Sequence, residues 1–241
     1  MRPRFLVVRS GGRAFPAEVA PELEIVDLSS HEIVPLDPDP ALLDGRFDFS
    51  IVTSRTAVER LALLADLRSL VAGRWIAVGP ATAELLRAAV GGAVEDGGGS
   101  ARRVLDRLPP RLEGSRVLLP RGEDANEELA DEIARRGADV VRLPLYRKVP
   151  RRYDPALDAL ITETGIAGYC PTSPAATRWL FDGASREAAA ILRRTVAVAL
   201  GSSTRDELLL QGATRVEVVD PPTFESAARR AAALAGAAAG A

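Results

Sequence analysis

Four short turns hold the hydroxyl and glycine residues of this chain that could do chemistry: Thr53-Ser54, Gly79–Thr82, Thr172-Ser173-Pro174 and Gly201–Thr204. Each follows an apolar run and precedes a helical pattern, so each reads as a strand-to-helix turn. In an open parallel sheet, ligands bind beyond the carboxyl ends of the strands. Helix N-termini at that edge present free N–H groups and a positive dipole end, which suit carboxylates or phosphates. The candidate binding residues are therefore Thr53, Ser54, Gly79, Thr82, Thr172, Ser173, Gly201, Ser202, Ser203 and Thr204. Arg9 and Arg121, at equivalent strand ends, would add bidentate carboxylate contacts. Such a set suits a small molecule with many anionic groups and needs no basic protein surface. The plainer alternative for each hydroxyl is a structural cap. Ser173 before Pro174 reads as an N-cap with proline at N1, and Ser203-Thr204 with Asp206 and Glu207 reads as a capping box.

The rest of the chain narrows the chemistry. His31 is the only histidine, so a histidine metal cluster is ruled out. A Ser-His-Asp or Cys-His device would have to use His31, which stands in a polar stretch and reads as a surface or hinge-side residue. Cys170, the single cysteine, lies inside a strand run and reads as a small core residue. It permits no internal disulfide, which fits a reducing, cytoplasmic location. Glu95-Asp96-Gly97-Gly98-Gly99-Ser100 lacks the Lys-Ser/Thr pair of a phosphate loop and the spacing of a dinucleotide fingerprint. The formal charge of -2 exerts no overall pull on nucleic acid or an acidic membrane. No apolar run approaches a membrane span, and the run behind Met1-Arg2-Pro3-Arg4 is only a strand long, so no signal peptide is read. The expected partner is a small molecule, with neither nucleic acid nor membrane, and the protein is expected to be a monomer.

These turns need parallel strands and flanking helices. The stretch 117–150 supplies the pattern: an apolar strand Val117-Leu118-Leu119 that ends at Pro120, then Arg121-Gly122 and an acidic helix start. Leu129 and Ile133 share one helical face, with acids early and Arg135-Arg136 late, as the dipole favours. Gly137 is a natural stop, and a second strand, Val140–Leu143, ends at Pro144. The start of the chain repeats the block: strand Phe5–Val8, then Arg9-Ser10-Gly11-Gly12, then strand Ile25–Leu28. The turn-bearing stretches recur too, at an offset of roughly half the chain, which reads as one duplication. Ser100 and Thr223 stand ready to cap helices over 101–108 and 224–234, and 235–241 reads as a frayed tail. The fold class is α/β, with two flavodoxin-like parallel-sheet lobes. Two proline-rich stretches, 35–40 and 144–150, suit paired linkers that make a hinge. The first lobe would then be discontinuous, 1–34 with 150–241; the second would be 38–143, and the linkers 35–37 and 144–149. Two consecutive domains split near Pro110 fit the same pattern.

Several of these pieces, in this order, resemble the uroporphyrinogen-III synthase family along nearly the full length. They are the Thr-Ser turns at 53 and 172, Val-Gly-Pro-Ala-Thr-Ala at 78–83, Leu-Gly-Ser-Ser-Thr at 200–204, Leu-Pro-Arg-Gly-Glu at 119–123 and Leu-Pro-Leu-Tyr-Arg at 143–147. The resemblance implies two α/β lobes on a two-stranded linker, with the discontinuous first lobe. It implies cofactor-free cyclisation of hydroxymethylbilane, a linear tetrapyrrole with acetate and propionate arms on every ring, with inversion of the last ring. It also implies that Tyr146 helps the hydroxyl leave and that Thr204 lies near substrate carboxylates. Pro171 and Ser202-Ser203 depart from the family's usual residues. A non-catalytic two-lobed sensor of a polyanionic small molecule is the alternative, since one fold hosts many functions.

Overall fold

The computed structural model of the chain describes residues 2–11 and 14–239. Its strands, in chain order, are β1 (Arg4–Arg9), β2 (Glu24–Ser29), β3 (His31–Pro35), β4 (Phe47–Val52), β5 (Val71–Ala77), β6 (Val94–Asp96), β7 (Arg116–Gly122), β8 (Asp139–Pro150), β9 (Gly168–Pro171), β10 (Ala197–Ala199) and β11 (Val216–Val218). They form two sheets, ordered β11-β10-β9-β1-β2 and β3-β8-β7-β4-β5-β6. The fold is α/β, with parallel ladders such as β1–β9 and β4–β7. Two compact units result, Met1–Glu32 with Val149–Ala241 and Ile33–Lys148. In the first, strand order is that of flavodoxin-like sheets, 2-1-3-4-5 by position in the unit. Reading the second unit from β7 and omitting β3 gives the same order.

Each unit buries both faces of its sheet. Along β1, Leu6 and Val8 join one apolar cluster while Phe5 and Val7 join another. Along β7, Leu118 faces one cluster and Val117 and Leu119 the other. Successive strand residues point to opposite faces, so a strand apolar throughout needs cover on both sides. Each fully buried Leu or Val contributes roughly 1.5–3 kcal/mol. The helices that give this cover start with caps read from sequence: Ser100 Oγ accepts from Arg103 N at 3.3 Å, and Thr223 Oγ1 from Ser226 N at 3.1 Å. Gly137 follows the helix Glu128–Arg135 with φ 97, a left-handed conformation that glycine adopts at no steric cost.

Three expectations need correction. β7 does not end at Pro120 but runs on to Gly122. Its pairing with β4 stops at Leu118, so the proline lies where only the β8 side is paired. β8 does not end at Pro144 but continues to Pro150. There the register slips, Arg121 opposing Pro144 and Gly122 opposing Tyr146, so Leu145, next to the proline, is the extra residue of a bulge. The last helix runs from Phe224 to Ala239 rather than fraying at 235, carried by a run of alanines with high helix propensity; residues 240–241 lie outside the described residues.

Cys170 is fully buried in β9, and burial alone raises its thiol to about 12. The protonated thiol is a poor nucleophile. Native protein is therefore expected to resist alkylation by iodoacetamide at neutral pH and to react fully once unfolded, as intact-mass measurement would show. Fast labelling of native protein would contradict this packing.

Candidate functional site

In the second unit, β4 delivers Thr53-Ser54 to the start of the helix Arg55–Leu64. Ser54 is the N-cap, and its Oγ accepts from Ala57 N at 3.1 Å. The same Oγ lies 3.0 Å from Tyr146 Oη. Tyr146 comes from β8, is only 5% exposed, and packs its ring in the cluster with Val52, Ala57 and Val58. The ring also closes over Gly122, where an added Cβ would come within 3.1 Å of Tyr146 Cε2. Glu123 N donates to Tyr146 O at 2.8 Å, so backbone and hydroxyl are both anchored.

Beside this turn, β5 leads through Val78 to Gly79, the N-cap of the helix Pro80–Val90. Val78 N bonds to Val52 O at 3.0 Å, which ties the two turns together. Thr82 is buried in the first turn of that helix. The glycine-rich turn serves this edge structurally: Gly97 N donates to Ala77 O at 2.7 Å and Gly99 N to Val78 O at 2.6 Å.

The first unit offers a like arrangement. Ser173 caps the helix Pro174–Gly183, its Oγ accepting from Ala176 N at 3.2 Å. Its second neighbour is Ser10 Oγ, 2.5 Å away at the end of β1, a partner that sequence reasoning missed. Thr172 is half-buried, and its N–H bonds to Val8 O at 2.9 Å. Gly201 is the N-cap of the helix Ser202–Leu210, with Ser202 and Ser203 exposed and Thr204 buried. The capping box is not formed, because the N-cap is Gly201, two residues ahead of Ser203, and no side chain caps the helix. Glu207 instead pairs with Arg178 at 2.5 Å. Gly12 lies outside the described residues.

Gly79 and Gly201 share a telling property. Their φ values, −129 and −171, lie in the extended region open to any residue. An added Cβ at either would meet nothing within 4 Å. Neither backbone strain nor crowding within the protein demands glycine there. The first N–H groups of a helix lack the acceptors of its interior, and no side chain caps either of these two helices.

The two arginines are placed differently from the sequence reading. Arg121 is 6% exposed and folded back on its own loop. Its guanidinium donates to Glu127 Oε2 at 3.1 Å, to Glu127 Oε1 at 2.5 Å and to Ala125 O. Glu127 also receives Arg142 Nε at 3.0 Å, and these bonds, Arg121's first, hold its carboxyl below the usual range. Arg9 Nε likewise meets Asp27 Oδ1 at 2.5 Å, while Asp27 Oδ2 accepts from Phe15 N at 2.9 Å. Both guanidiniums thus face carboxylates of the protein. Arg121 and Thr53 do line one small crevice with Pro120, Asn126 and Leu129. His31 is buried, with Nδ1 2.8 Å from Ser30 Oγ. Among the described residues there is no cluster of His, Cys, Asp and Glu that could hold a metal ion, and no helix long and apolar enough to cross a membrane.

Fold and site together define a two-unit α/β protein whose capped strand-to-helix turns stand at the carboxyl edges of its sheets. The match to the family Uroporphyrinogen-III synthase HemD spans residues 13–229, and the chain belongs to that family. It is an enzyme of tetrapyrrole biosynthesis, a lyase that cyclises its substrate, and the sensor alternative is not favoured. No curated protein gives a sequence match. Among solved structures, a mutant uroporphyrinogen III synthase from the extreme thermophile Thermus thermophilus is 23% identical with a TM-score of 0.65, over 94% of this chain and 98% of that one. The uroporphyrinogen-III synthetase of Helicobacter pylori is 19% identical with a TM-score of 0.63, over 97% and 100%. These two likenesses bear on the fold alone.

Proposed function

We propose that the chain closes hydroxymethylbilane to uroporphyrinogen III, inverting the last pyrrole ring, and that its strand-to-helix turns hold the acid arms of that substrate. Supporting this reading of the site is, above all, the pair of open glycine caps, Gly79 and Gly201. A carboxylate that approaches them meets first-turn N–H groups and the helix dipole. Thr53, Ser54, Thr82, Thr172, Ser173, Ser202, Ser203 and Thr204 furnish the hydroxyls of the same edges. Arg9 and Arg121 act indirectly, holding the turns in shape through Asp27 and Glu127.

The chemistry asks little of the protein beyond positioning. Tyr146 Oη gives a proton to the leaving hydroxyl, which departs as water while a pyrrole nitrogen lone pair pushes into the ring. The cation is attacked by the substituted carbon of the last ring. The spiro intermediate then opens and recloses, and loss of the ring proton restores the tyrosine. Ser54, held by Ala57 N, orients Tyr146 Oη for the transfer. The reaction runs without cofactor, by a monomer, and the lone buried thiol fits a cytoplasmic setting.

Gly79→Asp and Gly201→Asp test the site. Aspartate is a favourable N-cap and its preferred backbone matches both positions, so melting temperature is expected to hold or rise. Yet a new carboxylate at the cap repels an anionic substrate, and KM for hydroxymethylbilane is expected to rise about tenfold or more. Variants that melt as high as the parent and keep its KM would remove these turns from the site.

A further inference from the structure

Beyond the turns, the first unit carries a cavity of about 450 Å³ along one face of the helix Pro174–Gly183, lined among others by Arg151, Tyr153, Arg178, Trp179 and Asp182. That size lies within the span of small-molecule sites. Its wall is rigid. Trp179 Nε1 donates to Arg151 O at 2.6 Å, which fixes the indole and the backbone beside it. Tyr153 stands 5.2 Å from the indole, centroid to centroid, and its Oη donates to Asp158 Oδ1 at 2.8 Å. It packs over Gly183, where an added Cβ would fall 2.2 Å from Tyr153 Cδ2.

The charges are ordered along the helix. Arg178 lies toward the Ser173 end, half exposed and steadied by Glu207. Asp182 lies one turn further on, exposed and without a partner among the described residues. The exposed Arg151 guanidinium also has no partner among the described residues. An aromatic wall with the Arg178 guanidinium at one end, a carboxylate one turn further on and Arg151 on the same lining matches a flat ring that bears acids on one edge and an N–H on the opposite edge.

We infer that this groove seats one carboxylate-bearing pyrrole ring, its acid arms toward Arg151 and Arg178, its N–H toward Asp182 and its face against Trp179. In the working enzyme that ring belongs to the linear tetrapyrrole, so its role there rests on the substrate reading given above. The groove begins one residue after Pro174, so a chain of rings lying in it continues from the Ser173 turn.

The test uses the full chain and two probes. The first is a monopyrrole with one acetate and one propionate arm, titrated while the two indole N–H signals are followed by NMR. The Trp179 signal is expected to shift and that of Trp75, in the other unit, to stay. Arg151→Glu is expected to weaken this binding about tenfold, and Arg151→Lys to retain most of it. The second probe is turnover of hydroxymethylbilane, for which Arg151→Glu is expected to raise KM by a similar factor with little change in kcat. If the parent turns over the bilane but Trp179 never shifts, or Arg151→Glu leaves both constants unchanged, the groove assignment is wrong and the substrate reading stands. If the parent fails on the bilane yet binds the monopyrrole in an Arg151-dependent way, the groove assignment stands and the substrate reading falls.

Discussion

Arg121→Glu is expected to lower the stability of the chain clearly, because it replaces a buried guanidinium with a carboxylate that faces the half-exposed Glu127. Arg121 is buried, and its fork fastens the loop between β7 and the helix Glu128–Arg135 by way of Ala125 O and Glu127. A glutamate there would turn a carboxylate toward Glu127 and toward carbonyl oxygens that have lost their donor. Arg121→Met, which leaves no buried charge, is expected to cost less. The pH dependence has a definite sign. Bonds from Arg121 and then Arg142 depress the Glu127 carboxyl in the folded state. The stability it lends is therefore present above the ordinary carboxylate range and is lost as pH falls through the lower folded value. The gap between parent and variant is expected to narrow in acid. Urea melts at neutral and acid pH check both points; a variant as stable as the parent at neutral pH would mean that Arg121 does not fasten this loop.

Tyr146→Phe is expected to lower kcat roughly tenfold or more while stability falls by about 1 kcal/mol, the worth of one hydrogen bond. The ring is kept, so its packing against Val52, Ala57 and Gly122 persists; only the hydroxyl beside Ser54 is removed. Ser54→Ala would leave the hydroxyl but take away its orienting partner and the helix cap. It is expected to lose part of the rate and about 1 kcal/mol of stability. Single-turnover rates beside melting curves separate the two effects. A phenylalanine variant with the parental rate would make Tyr146 a packing residue only.

Much of the architecture was legible because strands such as Phe5–Val8 and Val117–Leu119 are apolar at every position, which only a sheet covered on both faces accommodates. The caps at Ser54 and Ser173 were legible for a local reason: a hydroxyl just before a helical pattern has first-turn N–H groups within reach. Pro120 and Pro144 misled because a proline breaks a ladder only where its missing N–H is needed. That depends on which neighbouring strand is present and on the register at Arg121–Gly122. The arginines misled for a similar reason. Arg9 meets Asp27, 18 residues away, on the adjacent strand, and no local pattern announces that pairing. Ser10 against Ser173 spans 163 residues and Ser54 against Tyr146 spans 92, so both contacts emerge only with the strand order. Arg151 and Trp179 belong to no motif at all. What joins them is the path of the chain from β8 past the helix Pro174–Gly183.

The most direct measurement is turnover of hydroxymethylbilane by the purified chain, with the type I and type III uroporphyrinogen isomers separated after oxidation to the porphyrins. Without enzyme, closure occurs at the unsubstituted carbon and gives type I. The account predicts rapid consumption of the bilane with type III as the dominant product, because the protein's task is to hold the last ring for attack at its substituted carbon. Consumption at the uncatalysed rate, with type I as the product, would contradict it.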